Sequence, residues 1–466
     1  MSGPTEQDIQ VNSISLEQGE LPVEPIKVVM VAACPFPANH GTPGAIRELA
    51  LHLVNQGHEV HIVAYPQCED IPVEGLHIHR VKVPFFIKPG PIVIGPSFER
   101  VVYDMLLVPK LIKVIKKEQI DVIHAHNYEA NIAGAMAKLF TGKPLIYNGV
   151  NTMEDELPSY RFIRPDGLAR WIGRMLDYIV PRMSDLIMVL SDELRDLLVD
   201  HGNSKDKVLV VPPGVELEWL ASGDGAKVRT KLGLDDDTSM VLYTGALEAF
   251  QRVDYLIRAM ALVIKQAPSA KLVIACNVKN EKAQRLYSEL SQELGISEHV
   301  IFVDSVPLEE LPDYLAAADV TVVPRPSCPG YPIKLLNYMA ASKPVVSFAG
   351  SAKSLCHGYS GYIATNDDVD DLANGIAMFV NNPEVGVAMG ARARESLEGV
   401  FDWSTLAKGV AESYRQLIKN RKEIDRVPLA KYFRHSYTPL LKDPQQVTPF
   451  LKDGKLIYPS LLQDKL

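Results

Sequence analysis

The segment "RPSCPGYPIKLLNYMAASKPVV", residues 325–346, decides how the chain is read. Gly330, Tyr331 and Pro332 make a turn that opens an amphipathic helix from Ile333 to about Ala341. Lys343-Pro344 ends the helix, and an apolar strand, Val345–Phe348, follows. A helix start has free N–H groups and the positive end of a dipole, so this stretch predicts a phosphate-holding element. Carboxylates that would clamp the hydroxyls of a ribose or sugar are missing, and their positions carry Pro329 and Asn337.

Outward from this segment, short β-branched runs alternate with helical periods, the pattern of βαβ units and a parallel sheet. One series covers residues 26–34, 59–65, 121–126, 144–150, 185–191 and 207–215; a second covers 240–247, 271–276, 300–306, 319–324 and 344–350. The fold class is therefore α/β, with two Rossmann-like doubly wound domains facing a cleft, and a ligand is expected at the carboxyl ends of the strands. The expected division is a disordered acidic leader (1–25), an N-terminal domain (26–213), a C-terminal domain (214–401), a crossover helix (402–420) and an unassigned tail (421–466). Pro212-Pro213-Gly214 is expected to begin a linker that runs through the polar stretch near 221–238.

The composition, 47% hydrophobic and 23% charged, is that of an ordinary globular protein, and the net charge of −9 argues against broad nucleic-acid binding. Five widely spaced cysteines, at 34, 68, 276, 328 and 356, form neither a disulfide framework nor a metal cluster and favour a reducing compartment. The first 25 residues lack the basic and apolar parts of a signal peptide, and no run reaches the ~18 apolar residues of a membrane span. The expected location is cytoplasmic, or peripheral to the inner face of a membrane.

Four further elements carry candidate chemistry. In "CPFPANHGTPGAIRELA" (34–50), Gly41 and Gly44 let a strand–helix loop approach a phosphate or sugar, yet a plain turn would read the same. It is not G-x-G-x-x-G, so the nicotinamide fingerprint is absent. In "DVIHAH" (121–126), His124 and His126 share one face of a strand end. No third ligand stands at metal spacing, and His126 is either a sugar-hydroxyl partner or a packed imidazole. The loop "NGVNTMEDELPSYRF" (148–162) offers Asn151 and Glu154 as an acceptor-side clamp, against a solvated helix cap. In "YTGALEAFQRVDYLIRAM" (243–260), Gly245 ends a strand and Arg252 is a candidate fork donor to a diphosphate. Lys334 adds a point charge to the helix start of the opening segment. Two basic amphipathic segments, 108–117 and 160–175, are either solvated helix faces or rests for an anionic membrane.

Taken in order, these motifs resemble the GT-B glycosyltransferases, specifically family 4 of the retaining enzymes, over roughly residues 26–420. The matching residues are G-T-P-G (41–44), D-x-x-H-x-H (121–126), "VPPGV" (211–215), "ADVTVVP" (318–324), G-x-P-x-K-L-L-x-Y-M-A (330–340), "KPVV" (343–346), "SGYIA" (360–364) and the segment from "FDW" (401–420). The resemblance implies a nucleotide-sugar donor, UDP- or GDP-linked, held mainly by the second domain, and a sugar, lipid-linked or small-molecule acceptor held mainly by the first. It implies no resident metal and no cofactor, and a role in polysaccharide or glycoconjugate synthesis. His126 matches the histidine near the transferred sugar, and Gly41 and Gly44 match the loop facing the donor phosphates. Backbone groups near Gly330 and Tyr331 match the diphosphate cradle. The pattern departs from the family where its two glutamates fall on Pro329 and Asn337, its turn arginine and lysine on Ala246 and Gln251, and a further histidine near Val150. A divergent active transferase is the first expectation, with Lys334 replacing the missing cation and Asn337 holding a ribose hydroxyl. A non-catalytic binding protein and a nucleotide-sugar epimerase are the alternatives.

Overall fold

The computed structural model describes residues 24–38, 41–69, 71, 73–83, 98–159, 163–277, 279–328, 331–421, 424–429, 432–433, 450–452 and 455–457. Most of the expected leader and tail, together with Pro329 and Gly330, lie outside these residues.

Among the described residues the first half forms a seven-stranded parallel sheet from β1 (Lys27–Ala32), β2 (Glu59–Ala64), β3 (His77–Arg80), β4 (Val122–His126), β5 (Leu145–Gly149), β6 (Leu186–Val189) and β7 (Val208–Val210). The spatial order is β3-β2-β1-β4-β5-β6-β7. The second half forms a six-stranded sheet from β8 (Met240–Thr244), β9 (Lys271–Ala275), β10 (Val300–Val303), β11 (Val320–Val323), β12 (Val345–Phe348) and β13 (Tyr362–Ala364), ordered β10-β9-β8-β11-β12-β13. Helices cover both faces of each sheet, which is why the central strands are continuous β-branched runs rather than alternating ones. The order of each sheet reverses once, between β1 and β4 and between β8 and β11. In open α/β sheets ligands settle at such switch points.

Helix 403–419 returns from the second half to the first. Leu406, Val410, Tyr414 and Leu417 pack into the core formed by β1, β4 and helix 41–55. Burial of each such side chain contributes roughly 1.5–3 kcal/mol. The Tyr414 hydroxyl lies 2.7 Å from His124 Nδ1, so a buried histidine of β4 is tied to the returning helix. The outgoing crossing is at Gly214, where a Cβ would collide with the ring carbons of Trp403, so the chain passes the indole only as glycine. Gln56 Nε2 donates to the Ser404 carbonyl, and Lys353 pairs with Glu193 at 3.2 Å across the halves.

Three local expectations are corrected. The stretch after Gly214 is not an open linker: helices 217–221 and 225–232 pack on helix 311–317, and Arg229 donates to the Ala317 carbonyl. Asp224 caps the second of these helices, and Gly233 ends it in the left-handed region at φ 65°. Gly44 lies inside a helix that begins at Gly41, not in the preceding loop. β3 and β13 are additional edge strands; their sequences, HIHR and YIA, are too short to read as strands by pattern.

Candidate active site

On the N-terminal sheet, the last residue of β4 is His126, in register with Ala32 of β1 and Asn148 of β5. Val122, His124 and His126 face the same side as helix 41–55, whose Ile46 and Leu49 join Val122 in one core. Helix 41–55 and His126 therefore share one face at the β1/β4 switch point. Gly41 holds φ at +42°, and around both Gly41 and Gly44 the space where a Cβ would stand is open. Such an opening admits a ligand to the first helical turn.

His126 is 3% exposed, and its ring stacks on His124 with centroids 4.3 Å apart. Asn148 Nδ2 lies 3.3 Å from His126 Nδ1, so with the amide donating, Nε2 holds the proton. That Nε2 is buried and has no partner among the described residues. A buried donor left unpaired is costly, and a ligand hydroxyl would relieve it. The Nε2 of His124 is likewise buried without a partner among the described residues, but its Nδ1 is taken by Tyr414, which ties it to the returning helix. Burial holds the pKa of His126 down to about 3. The imidazole is therefore neutral at working pH, fit for a polar contact and not for protonating a leaving group.

The acceptor-side candidates sit at the end of β5. Asn151 donates to Glu156, and Glu154 pairs with His201 at 2.9 Å and with Arg174 at 3.2 Å. Glu154 is thus committed to helix 166–179 and to His201. Asp177 accepts from the backbone N–H groups of Met153 and Glu154 and from the Tyr128 hydroxyl, which fixes the start of helix 153–159.

On the C-terminal sheet, Gly245 follows the last residue of β8, Thr244; its φ of 123° is closed to other residues and its N–H donates to the Ala275 carbonyl. A Cβ there would meet Lys334 Nζ at 3.1 Å. Lys334 stands on the first turn of helix 333–340, which has no side-chain cap, so its opening N–H groups are free of one. The ammonium lies 3.1 Å from Gln251 Oε1 and 3.9 Å from the centroid of the Tyr243 ring. Gln251 is the position at which the resemblance expects the turn's lysine, so a cation reaches that place from the facing helix. Desolvation, with repulsion from Arg325 second, holds the pKa of Lys334 down to about 7.

Tyr338, one turn further on, accepts from the Thr244 N–H at 2.8 Å and clamps the helix to the end of β8. Asn337 is half-buried on the same helix. The side chain of Tyr331 turns into the core, with its hydroxyl on Ser354 and its ring beside Phe401, leaving only its backbone for a ligand. Arg252, the expected fork donor to a diphosphate, is engaged within the chain. It makes two bonds to Asp254 at 3.0 Å and stacks on Tyr255. The sequence reading missed Arg325, which follows β11 at the other side of the switch point and lies over the Phe250 ring. Its one signal was an arginine at the carboxyl end of a strand. Asn148, which orients His126, was likewise missed, because a strand residue facing a histidine is visible only once the register is known.

Two tandem switch-point sites, one on each doubly wound sheet, define the GT-B class of glycosyltransferase folds. The match to known proteins is specific. Residues 41–219 match the Glycosyltransferase Family 4 model and residues 224–396 the Glycosyl transferases group 1 model. The D-inositol 3-phosphate glycosyltransferase of Streptosporangium roseum is 30% identical over 66% of this chain and 72% of its own, and that of Thermobispora bispora is 27% identical over 80% and 89%. Sucrose-phosphate synthase from Thermosynechococcus elongatus superposes with a TM-score of 0.69 at 20% identity, over 84% of this chain and 99% of that one. HepE of Anabaena in complex with UDP-glucose superposes at 0.66 and 16% identity, over 84% and 100%. This chain belongs to glycosyltransferase family 4 and is a glycosyltransferase. No helix among the described residues is long and apolar enough to cross a membrane.

Proposed function

We propose that this glycosyltransferase moves a sugar from a UDP- or GDP-linked donor to an acceptor hydroxyl with retention of configuration, in polysaccharide or glycoconjugate synthesis. The observation that carries this reading is Lys334 Nζ at 3.1 Å from Gln251 Oε1, beside Gly245. The charge missing from the turn after β8 is supplied from helix 333–340, next to free N–H groups that suit a diphosphate. In the transfer, the bond from the anomeric carbon to the diphosphate oxygen breaks as the acceptor oxygen bonds to the same face of the sugar. The acceptor's proton leaves with the departing diphosphate. Lys334 and the helix start stabilise the charge that develops there, usually the largest catalytic contribution. His126 Nε2 donates to a hydroxyl of the sugar, and Asn337 holds a ribose hydroxyl. This scheme calls for no cofactor.

The test is a thermal-shift and product screen with UDP-, GDP-, ADP- and CMP-sugars, first without acceptor and then with sugar acceptors and a phosphorylated inositol, the acceptor named in its relatives. A donor that raises the melting temperature and is slowly hydrolysed to the nucleoside diphosphate supports the reading and names the base. Release of an epimerised sugar, or binding without turnover on any acceptor, would sink it.

A further inference from the structure

Three histidines and a glutamate gather at the amino end of β2 and β3. Glu59 opens β2 and His77 opens β3, and the parallel register sets His61 beside His77. Glu59 and His61 stand two apart on one strand, His77 and His79 two apart on the next, so all four point to one face. Val63 and Tyr65, further along that face of β2, pack with Leu111 and Val114 of helix 98–118, whereas Val60 and Ile62 meet helix 41–55 on the other. The switch point that holds His126 lies at the carboxyl ends of the strands. The cluster is therefore no part of the transferase site.

One oxygen or nitrogen from each of Glu59, His61 and His77 lies within 4.8 Å of the others. His61 is 2% exposed; its Nε2 is 2.8 Å from Glu59 Oε1 and its Nδ1 is 2.9 Å from His79 Nε2. The exposed His77 ring lies 4.7 Å from the His61 ring, centroid to centroid. Tetrahedral bonds of about 2.0–2.2 Å place ligand atoms about 3.4 Å apart. Glu59 and His61 would part slightly, and the solvent-facing His77 would swing inward. Lys27 holds Glu59 Oε2 at 2.9 Å and leaves Oε1 to an ion. With an ion on Nε2, the Nδ1–H of His61 donates to His79, the outer contact that orients a metal-bound imidazole.

The donor set identifies the ion. Of the charges around the cluster, Lys27 is paired with Glu59 and Lys117 with Glu118, while Lys110 faces His79. That field is not acidic enough to hold a hard cation by charge, so the affinity must come from the imidazoles, which suit Zn²⁺ and not Mg²⁺ or Ca²⁺. Two other groups of three on the chain have two carboxylates and one histidine, and both are committed. Asp177, beside Glu154 and His201, already accepts three hydrogen bonds, and Arg47 holds Glu48 beside His52 and Glu216. We propose that Glu59, His61 and His77 bind one zinc ion, with water in the fourth position and His79 orienting His61. The ion staples the four-residue edge strand β3 to β2. β3 also carries Arg80, whose guanidinium donates to the Phe36 carbonyl in the loop before helix 41–55, so the staple steadies that loop from the far end of the sheet.

The test is calorimetric titration of the full chain, first stripped with a chelator, with Zn²⁺ and separately with Mg²⁺ and Ca²⁺. One Zn²⁺ per chain is expected, with a rise in melting temperature that the other two ions do not give. His77→Ala, at an exposed position, should abolish the binding and leave the metal-free melting temperature unchanged. His79→Ala should weaken it by about tenfold to a hundredfold, the range for an outer contact. Co²⁺ in place of zinc should show the visible absorption of a tetrahedral site, and His77→Ala should remove it. The control, His299→Ala on the C-terminal half, leaves binding unchanged. No Zn²⁺ binding, binding kept by His77→Ala, equal affinity for Mg²⁺, or binding lost with His52→Ala or His201→Ala would each overturn the proposal.

Discussion

His126 and Lys334 serve corresponding switch points of the two sheets, and desolvation acts on both, yet it leaves them in different states. The imidazole, pushed to about 3, stays neutral throughout the working range. The ammonium, brought to about 7, is poised at neutrality. One end of the cleft presents a fixed dipole suited to a hydroxyl, and the other a charge that an anion recruits by raising its pKa again. In the proposed scheme the same physical effect thus suits one group to a sugar hydroxyl and the other to a phosphate, because one is polar in its uncharged form and the other binds a phosphate only when charged.

The largest expected effect tests the neutral end. His126→Ala should lower the transfer rate by about a hundredfold or more, the scale of losing one transition-state hydrogen-bond donor, with donor affinity within about twofold by calorimetry. Equal losses in both would make His126 a general binding residue and erase the contrast. Next in size, Lys334→Ala should weaken UDP- or GDP-sugar binding by about tenfold to a hundredfold, the range for a charged hydrogen bond; unchanged affinity removes Lys334 from the site.

A pH series sharpens the comparison. Lys334 is protonated below its pKa, so donor affinity should be full below pH 7 and fall several-fold as the pH rises through and above it. Lys334→Arg should flatten that profile, because a guanidinium keeps its proton. A profile unchanged by this substitution would place the titration elsewhere. The smallest effect concerns the support of the neutral end. Tyr414→Phe removes the partner of His124 Nδ1 and should cost about 1–2 kcal/mol in a denaturant titration, with donor affinity untouched. A stability loss below that range would mean that water replaces the hydroxyl.

The helix 333–340 and β12 were legible almost to the residue, because Pro332, Lys343-Pro344 and an apolar period bound them locally. Both sheets were legible as runs of β-branched residues buried on two faces. β3 and β13 were not, since edge strands of four and three residues carry no pattern, nor were helices 217–221 and 225–232, which are only five and eight residues long. At the site, Lys334 and His126 were readable as residue types at a helix start and a strand end. The capture of Arg252 by Asp254 lies two residues away in sequence, but its bidentate geometry depends on Arg252 adopting φ +53°, which nothing local requires.

By itself the sequence determined two doubly wound domains, their order and the residue types at the strand ends, because periodicity and turn chemistry are local properties, and its motifs carried the resemblance to the family. Only the tertiary structure decided that Lys334 meets Gln251, that Asn148 orients His126 and that Tyr414 holds His124 across 290 residues. Each depends on which side chains from distant segments share a desolvated space. Burial, the quantity that sets the pKa values, exists only after the chain has packed.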